Sequence, residues 1–209
     1  MRIDHLVVGC RDLYEGDRWL DQLLGMPSAG GGEHVRYGTH NRLWRLDGDR
    51  YLELIARKQD ASAPETAPFG LADAVMQARL EDRPRLLTWV ARVEPGDDDE
   101  KVMAACPELA APVAVQRDEF HWRLAIAANK GLCLGGVSPY LIWWQGMHPC
   151  DLLPDVGLSL ESLQLRTQHL GDLQALVDCV TTDEPVSVSS GALSVQALIR
   201  TQAGSVLLD

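Results

Sequence analysis

The chain has 209 residues, 46% of them hydrophobic and 23% charged, with a formal net charge of −11. That size and balance suit a soluble globular protein with one sizeable core, or two small cores sharing an interface. A surface this acidic repels phosphate backbones and anionic lipid, which argues against nucleic-acid and membrane partners but not against a small anionic substrate beside a local arginine or metal.

The chain opens with a strand, Ile3 to Gly9, rich in β-branched and apolar residues. Asp12 then caps a helix, with Glu15 three residues on in a capping-box pattern. Leu13, Trp19, Leu20, Leu23 and Leu24 recur at helical spacing until Gly25 stops the run. A Gly-rich loop (Gly30, Gly31, Gly32) leads to three short strands, around Val35 to Tyr37, Asn41 to Leu46 and Tyr51 to Ile55. The turn Asp47-Gly48-Asp49 joins the last two. Strand, helix and three strands make one βαβββ unit.

The segment from Lys58 to Arg85 starts as an Ala/Pro/Thr-rich loop and contains a short helix, Leu71 to Leu80. The order then repeats. Leu86 to Val93 is a strand, the acidic run Asp97 to Glu100 starts a helix ending near Pro107, and strands run Pro112 to Gln116, Phe120 to Ala127 and Pro139 to Trp144. A third pass has a strand at Leu160 to Thr167 and a helix from about Asp172 to Val180. Strands follow around Pro185 to Ser189, Leu193 to Thr201 and Ser205 to Leu208. Element order, not residue identity, carries the repeat. The expected fold is α+β: repeated βαβββ modules forming a curved mixed sheet, a half-open barrel with helices outside and a ligand cleft within. One domain spans 1–209, with modules at about 1–56, 84–147 and 158–209.

Cys10, Cys106, Cys133, Cys150 and Cys179 are widely spread, with no zinc-knuckle or redox-pair spacing, and read as buried free thiols. No stretch approaches the roughly 18 apolar residues of a membrane span. Met1, Arg2, Ile3, Asp4 and His5 place an acid and a histidine where a signal peptide needs an apolar run. The expected location is the cytoplasm.

Ile3-Asp4-His5-Leu6-Val7-Val8 is followed by Asp12-Leu13, by His34 with Gly38-Thr39-His40-Asn41, and by Tyr51-Leu52-Glu53-Leu54. That succession resembles the glyoxalase-like domain of the vicinal oxygen chelate superfamily (glyoxalase, bleomycin resistance and dioxygenase proteins). Pro139-Tyr140-Leu141-Ile142-Trp143-Trp144 with His148-Pro149 is a second point of likeness. The resemblance is strong over 1–56 and moderate over 84–150, and rests on element order alone in the last fifty residues. It implies metal ligands on the first and last strands of a module, lyase, isomerase or dioxygenase-like chemistry on a small oxygen-rich molecule, and a homodimer.

Strand alternation leads to the same residues. If Leu6 and Val8 face the helix, His5 points into the open face, and Tyr51, Glu53 and Ile55 lie opposite Leu52 and Leu54. His5 and Glu53 are the expected catalytic pair and the candidate ligands for a divalent metal, Mn, Fe, Ni or Zn. The matching places of the second module hold Leu87, Thr88 and Trp89, and Leu141, Ile142 and Trp143, with no imidazole or carboxylate. Two ligands make a weak site; His34, His40 or His148 would have to complete it. His34 and His148 are further acid–base candidates, and Asn41, Trp89, Trp143 and Trp144 are candidate substrate-binding residues. Adjacent Trp143 and Trp144 cannot both face the cleft: one lines it, the other packs under the helix. Arg45 and Arg123 are expected on the solvent face. The rival to an enzyme is a metal-free protein that binds an aromatic compound, as resistance proteins of the superfamily do.

Overall fold

The computed structural model describes residues 1–59, 62–63, 65–180 and 184–209. The first module consists of strand β1 (Arg2–Gly9), helix α1 (Leu13–Leu24) and strands β2 (Gly30–His34), β3 (Thr39–Arg45) and β4 (Tyr51–Arg57). Asp12 caps α1 by accepting from the Glu15 amide at 2.9 Å, and Gly25 ends it in the left-handed conformation. Buried Leu13, Leu20 and Leu24 line the face that α1 turns to the sheet.

After helix α2 (Ala74–Arg79), the second module runs β5 (Arg85–Arg92), α3 (Asp99–Ala104), β6 (Val113–Arg117), β7 (Phe120–Ala125) and β8 (Tyr140–Trp144). The two modules form one eight-stranded mixed sheet in the order β2-β3-β4-β1-β5-β8-β7-β6. β1 pairs with β4 in parallel, β5 pairs with β8 in parallel, and antiparallel β1 and β5 join the modules at the centre. The sheet curls into the expected half-open barrel, with β2 and β6 at its two edges.

Two stretches exchange roles relative to the sequence reading. Gly30 to Gly32, expected as a loop, begin β2, and 35–38 form a turn where a strand was expected. The reason is steric: Gly31, at φ 152°, lies so close to β3 that a Cβ would run into the Asn41 carbonyl oxygen. Only glycine permits that approach. In the segment expected as a linking loop, 60, 61 and 64 lie outside the described residues.

The remaining elements are β9 (Ser159–Thr167), α4 (Leu170–Val177), β10 (Val186–Ser190), β11 (Ser194–Thr201) and β12 (Gly204–Leu208). Their order along the chain repeats the module, but their sheet does not. In the barrel a module's first strand lies beside its fourth, whereas β9 sits between β10 and β11 in a separate sheet, β10-β9-β11-β12. β11 packs against β5, and Val195, Ala197 and Ile199 merge with the main core.

Candidate functional site

The inner face of the barrel lines an open cleft whose free space, including solvent at its mouth, is about 660 Å³. Alternation along β4 directs Tyr51, Glu53 and Ile55 into it, and β3 adds Thr39, Asn41 and Leu43. His5 enters from β1, with Trp122 and Trp144 as walls from β7 and β8. The cavity is therefore mostly apolar, with polar groups gathered toward the first module and at the β6 edge.

Asp4 underlies this site. The pairing of β1 with β5 skips it: Ile3 faces Ala91 and His5 faces Val90. The extra residue is a bulge that breaks strand alternation, so neighbouring Asp4 and His5 can bond to each other. Asp4 is fully buried; Oδ1 lies 2.6 Å from His5 Nδ1, and Oδ2 lies 2.9 Å from Trp144 Nε1, 3.2 Å from His148 Nε2 and 3.0 Å from Arg92 Nε. Burial alone would raise the Asp4 pKa. Hydrogen bonds from His148 and His5, and their charge, outweigh it and hold the carboxyl well below the usual carboxylate range.

An ionised carboxylate only accepts, so His5 Nδ1 carries a proton and Nε2 is left for Glu53, whose Oε2 is 3.6 Å away. Tyr51 stacks on the His5 ring at 4.4 Å, fixing its plane. Asn41 Nδ2 donates to Glu53 Oε1 at 2.6 Å, and Asn41 Oδ1 accepts from Arg117 Nη1 at 3.2 Å. Glu53 thus has one oxygen held by an amide and the other turned to an imidazole.

Arg117 comes from β6 and reaches across to the first module, passing over Gly32, where a Cβ would sit only 3.2 Å from its Cδ. Its Nη1 is 3.4 Å from His34 Nε2. A guanidinium has no acceptor, so that histidine nitrogen is the unprotonated one and Nδ1 donates to Thr39 Oγ1 at 3.0 Å. Burial, together with the positive charges of Arg117 and His5, outweighs the pull of Glu53 and lowers the His34 pKa. Among the described residues, Arg117 Nε and Tyr37 Oη are buried without a hydrogen-bond partner, and both residues line the cavity.

Of the residues singled out from sequence, His5, His34, Asn41, Glu53 and Trp144 line this cavity. His148 lies behind it: its Nδ1 accepts from the Cys150 amide, leaving Nε2–H for Asp4. Trp89 and Trp143 face outward. Trp89, paired with Leu6, donates to the Val137 carbonyl, and Trp143 donates to Asp99 of α3. Trp143 and Trp144 divide as alternation requires. Arg45 binds the carbonyls of Cys150 and Leu153, and Arg123 lies 5.0 Å over the Trp143 ring. Neither enters the cavity. Sequence reasoning missed Arg117, Tyr37 and Asp4. Extending the inward alternation Val113, Val115 by two residues would have found Arg117.

The donor set does not suit a divalent ion. Among the described residues, His5 Nε2 and Glu53 are its only convergent members. Val90 and Ile142 occupy the matching inward positions of the second module, and Arg117 brings a positive charge into the same cavity. Among the described residues no three His, Cys, Asp or Glu side chains are grouped to hold a metal.

A paired βαβββ barrel around a small, mostly apolar cavity with a few convergent polar groups defines a small-molecule site. The chain belongs to the glyoxalase-like domain family, whose model matches residues 3–181. No curated protein matches the sequence. Solved structures similar in fold include methylmalonyl-CoA epimerase from Streptomyces coelicolor, a variant in complex with 2-nitronate-propionyl-CoA (13% identity, 68% of this chain and 96% of that chain, TM-score 0.47). Methylmalonyl-CoA epimerase from Mycobacterium tuberculosis is another (16%, 72% and 91%, 0.46), as is a hypothetical protein from Bacillus halodurans (10%, 70% and 95%, 0.44). No helix among the described residues is long and apolar enough to cross a membrane.

Proposed function

We propose that the chain is an enzyme of the isomerase or lyase type that moves a proton at a carbon next to a carbonyl, with Glu53 as base and His5 as its acid–base partner. The observation carrying this reading is the Asp4–His5–Glu53 line inside the cavity: a buried carboxylate fixes the imidazole tautomer and turns its second nitrogen to the second carboxylate. Glu53 takes the proton from carbon, the C–H electron pair forms the C=C bond, and the carbonyl π pair moves onto oxygen. Returning the proton to carbon completes an isomerisation; departure of a β-substituent instead completes an elimination.

A dioxygenase-like or otherwise metal-dependent reaction has less support, because the donor set offers too few ligands. Cytoplasmic residence belongs to the reading and is supported by the free cysteines; a homodimer rests on the family resemblance alone. The aromatic walls favour a second reading, a binding protein for a planar compound, with Trp122 and Trp144 ring centroids 5.4 Å apart at one side of the cavity. Proton NMR in D₂O separates the two. The enzyme reading expects the protein to accelerate exchange of α-hydrogens in at least one of a panel of enolisable carbonyl compounds, with the rate lost in Glu53→Gln. Tight binding of planar aromatics with no exchange across the panel would instead support the binding protein.

A further inference from the structure

The geometry points to a carboxylate-binding subsite at Arg117, so that the ligand is a monoanion with its carboxylate on this guanidinium and its apolar body against Trp122 and Trp144. The inference deepens the proposed reading by naming a substrate class and rests on the cavity being the site. Arg117 is the only lysine or arginine among the residues lining the cavity. Among the described residues Arg117 forms no ion pair with a carboxylate; Glu53 is joined to it only through the Asn41 amide. Among the described residues its partners are uncharged, the Asn41 amide oxygen, the unprotonated His34 nitrogen and the Phe120 ring at 5.5 Å, and Nε is buried without a hydrogen-bond partner. A partly buried cation without a counter-ion is costly, and an anionic ligand removes that cost.

Several observations narrow the ligand. The net charge of −11 disfavours anions near this protein, so one that binds here needs a local cation. One guanidinium balances one charge, and Glu53 in the same cavity penalises a second. The planar fork of arginine matches a carboxylate. Beyond the polar corner the lining is Val90, Leu124, Ile142 and the two tryptophans, which offers nothing to a polar body and good packing to an aromatic or branched apolar one. Tyr37, 5% exposed with Oη unpaired, supplies one further hydrogen bond elsewhere in the cavity.

The test is calorimetric titration with phenylpyruvate, an aromatic 2-oxo acid that also enolises, beside phenylacetone, which lacks the carboxylate, and phenyl phosphate, which carries a second charge. The parent protein should bind phenylpyruvate at least about tenfold more tightly than either analogue. Arg117→Gln should abolish that preference, Arg117→Lys should keep part of it, and Arg123→Gln on the outer face should leave it intact. Circular dichroism confirms that each variant is folded. Equal affinity of the parent for phenylpyruvate and phenylacetone, no binding of phenylpyruvate, a preference for phenyl phosphate, or unchanged affinity in folded Arg117→Gln would each overturn the subsite. Arg117-dependent binding without hydrogen exchange would refute the proton-transfer reading and leave the subsite standing. Exchange of equal rate and KM in parent and Arg117→Gln would do the reverse.

Discussion

Asp4 and His5 are neighbours in one strand, yet their side chains are joined by a 2.6 Å contact between Oδ1 and Nδ1, because the strand bulges at Asp4. That contact gives the candidate site its orientation: it protonates Nδ1, frees Nε2 and directs it to Glu53.

Asp4→Asn should therefore reduce any Glu53-dependent exchange rate by more than about tenfold without comparable loss of ligand affinity. It should also destabilise the fold by about 3 kcal/mol, since Arg92 loses its buried counter-charge. Urea unfolding of both proteins near neutral pH checks the second figure; an unchanged midpoint would show that the pair contributes nothing.

The same carboxylate sets an acid limit. Its folded-state pKa is depressed, so its stabilisation is complete above the unfolded value of about 4 and is lost as pH falls through the folded value. The stability gap between the parent and Asp4→Asn should stay constant from neutral pH to about pH 4 and narrow only below it.

His34 works in a higher window. Its pKa is lowered, so the fold favours the neutral imidazole while the unfolded chain takes up a proton below about pH 6.5. Stability should decline as pH falls from about 6.5 toward the folded value, and His34→Gln should remove that component of the slope. Parallel urea curves at about pH 7.5 and pH 5.5 measure it; identical slopes in parent and variant would contradict the assignment.

Gly31 and Gly32 differ in what they tolerate. A methyl group at Gly31 meets the Asn41 backbone, which cannot yield cheaply, whereas at Gly32 it meets the flexible Arg117 side chain. Gly31→Ala should cost about 2–3 kcal/mol and Gly32→Ala clearly less. Thermal unfolding of the two variants decides this, and equal losses would mean that β2 is free to shift.

Much of the barrel was legible because its strands alternate with period two. Tyr51, Glu53 and Ile55 follow from that rule alone, as does the division of Trp143 from Trp144. Asp4 escaped because a bulge suspends the rule for one residue. Trp89 was chosen where its neighbour Val90 faces inward, since the register between β1 and β5 is not written in either strand. Arg117 and Tyr37 sit just past or within strands whose ends were misplaced, and Gly30 to Gly32 look like a loop until β3 is brought against them. Strand order in the second sheet depends on pairing partners, which element order along the chain does not specify.

In the proposed function Glu53 and His5 transfer a proton without a metal. The most direct measurement is α-hydrogen exchange in D₂O by chelator-treated protein, before and after addition of Mn, Fe, Ni or Zn. The rate should survive chelation, not be raised by any of the ions, and disappear in Glu53→Gln. A rate abolished by the chelator and restored by one of these ions would contradict the metal-free transfer.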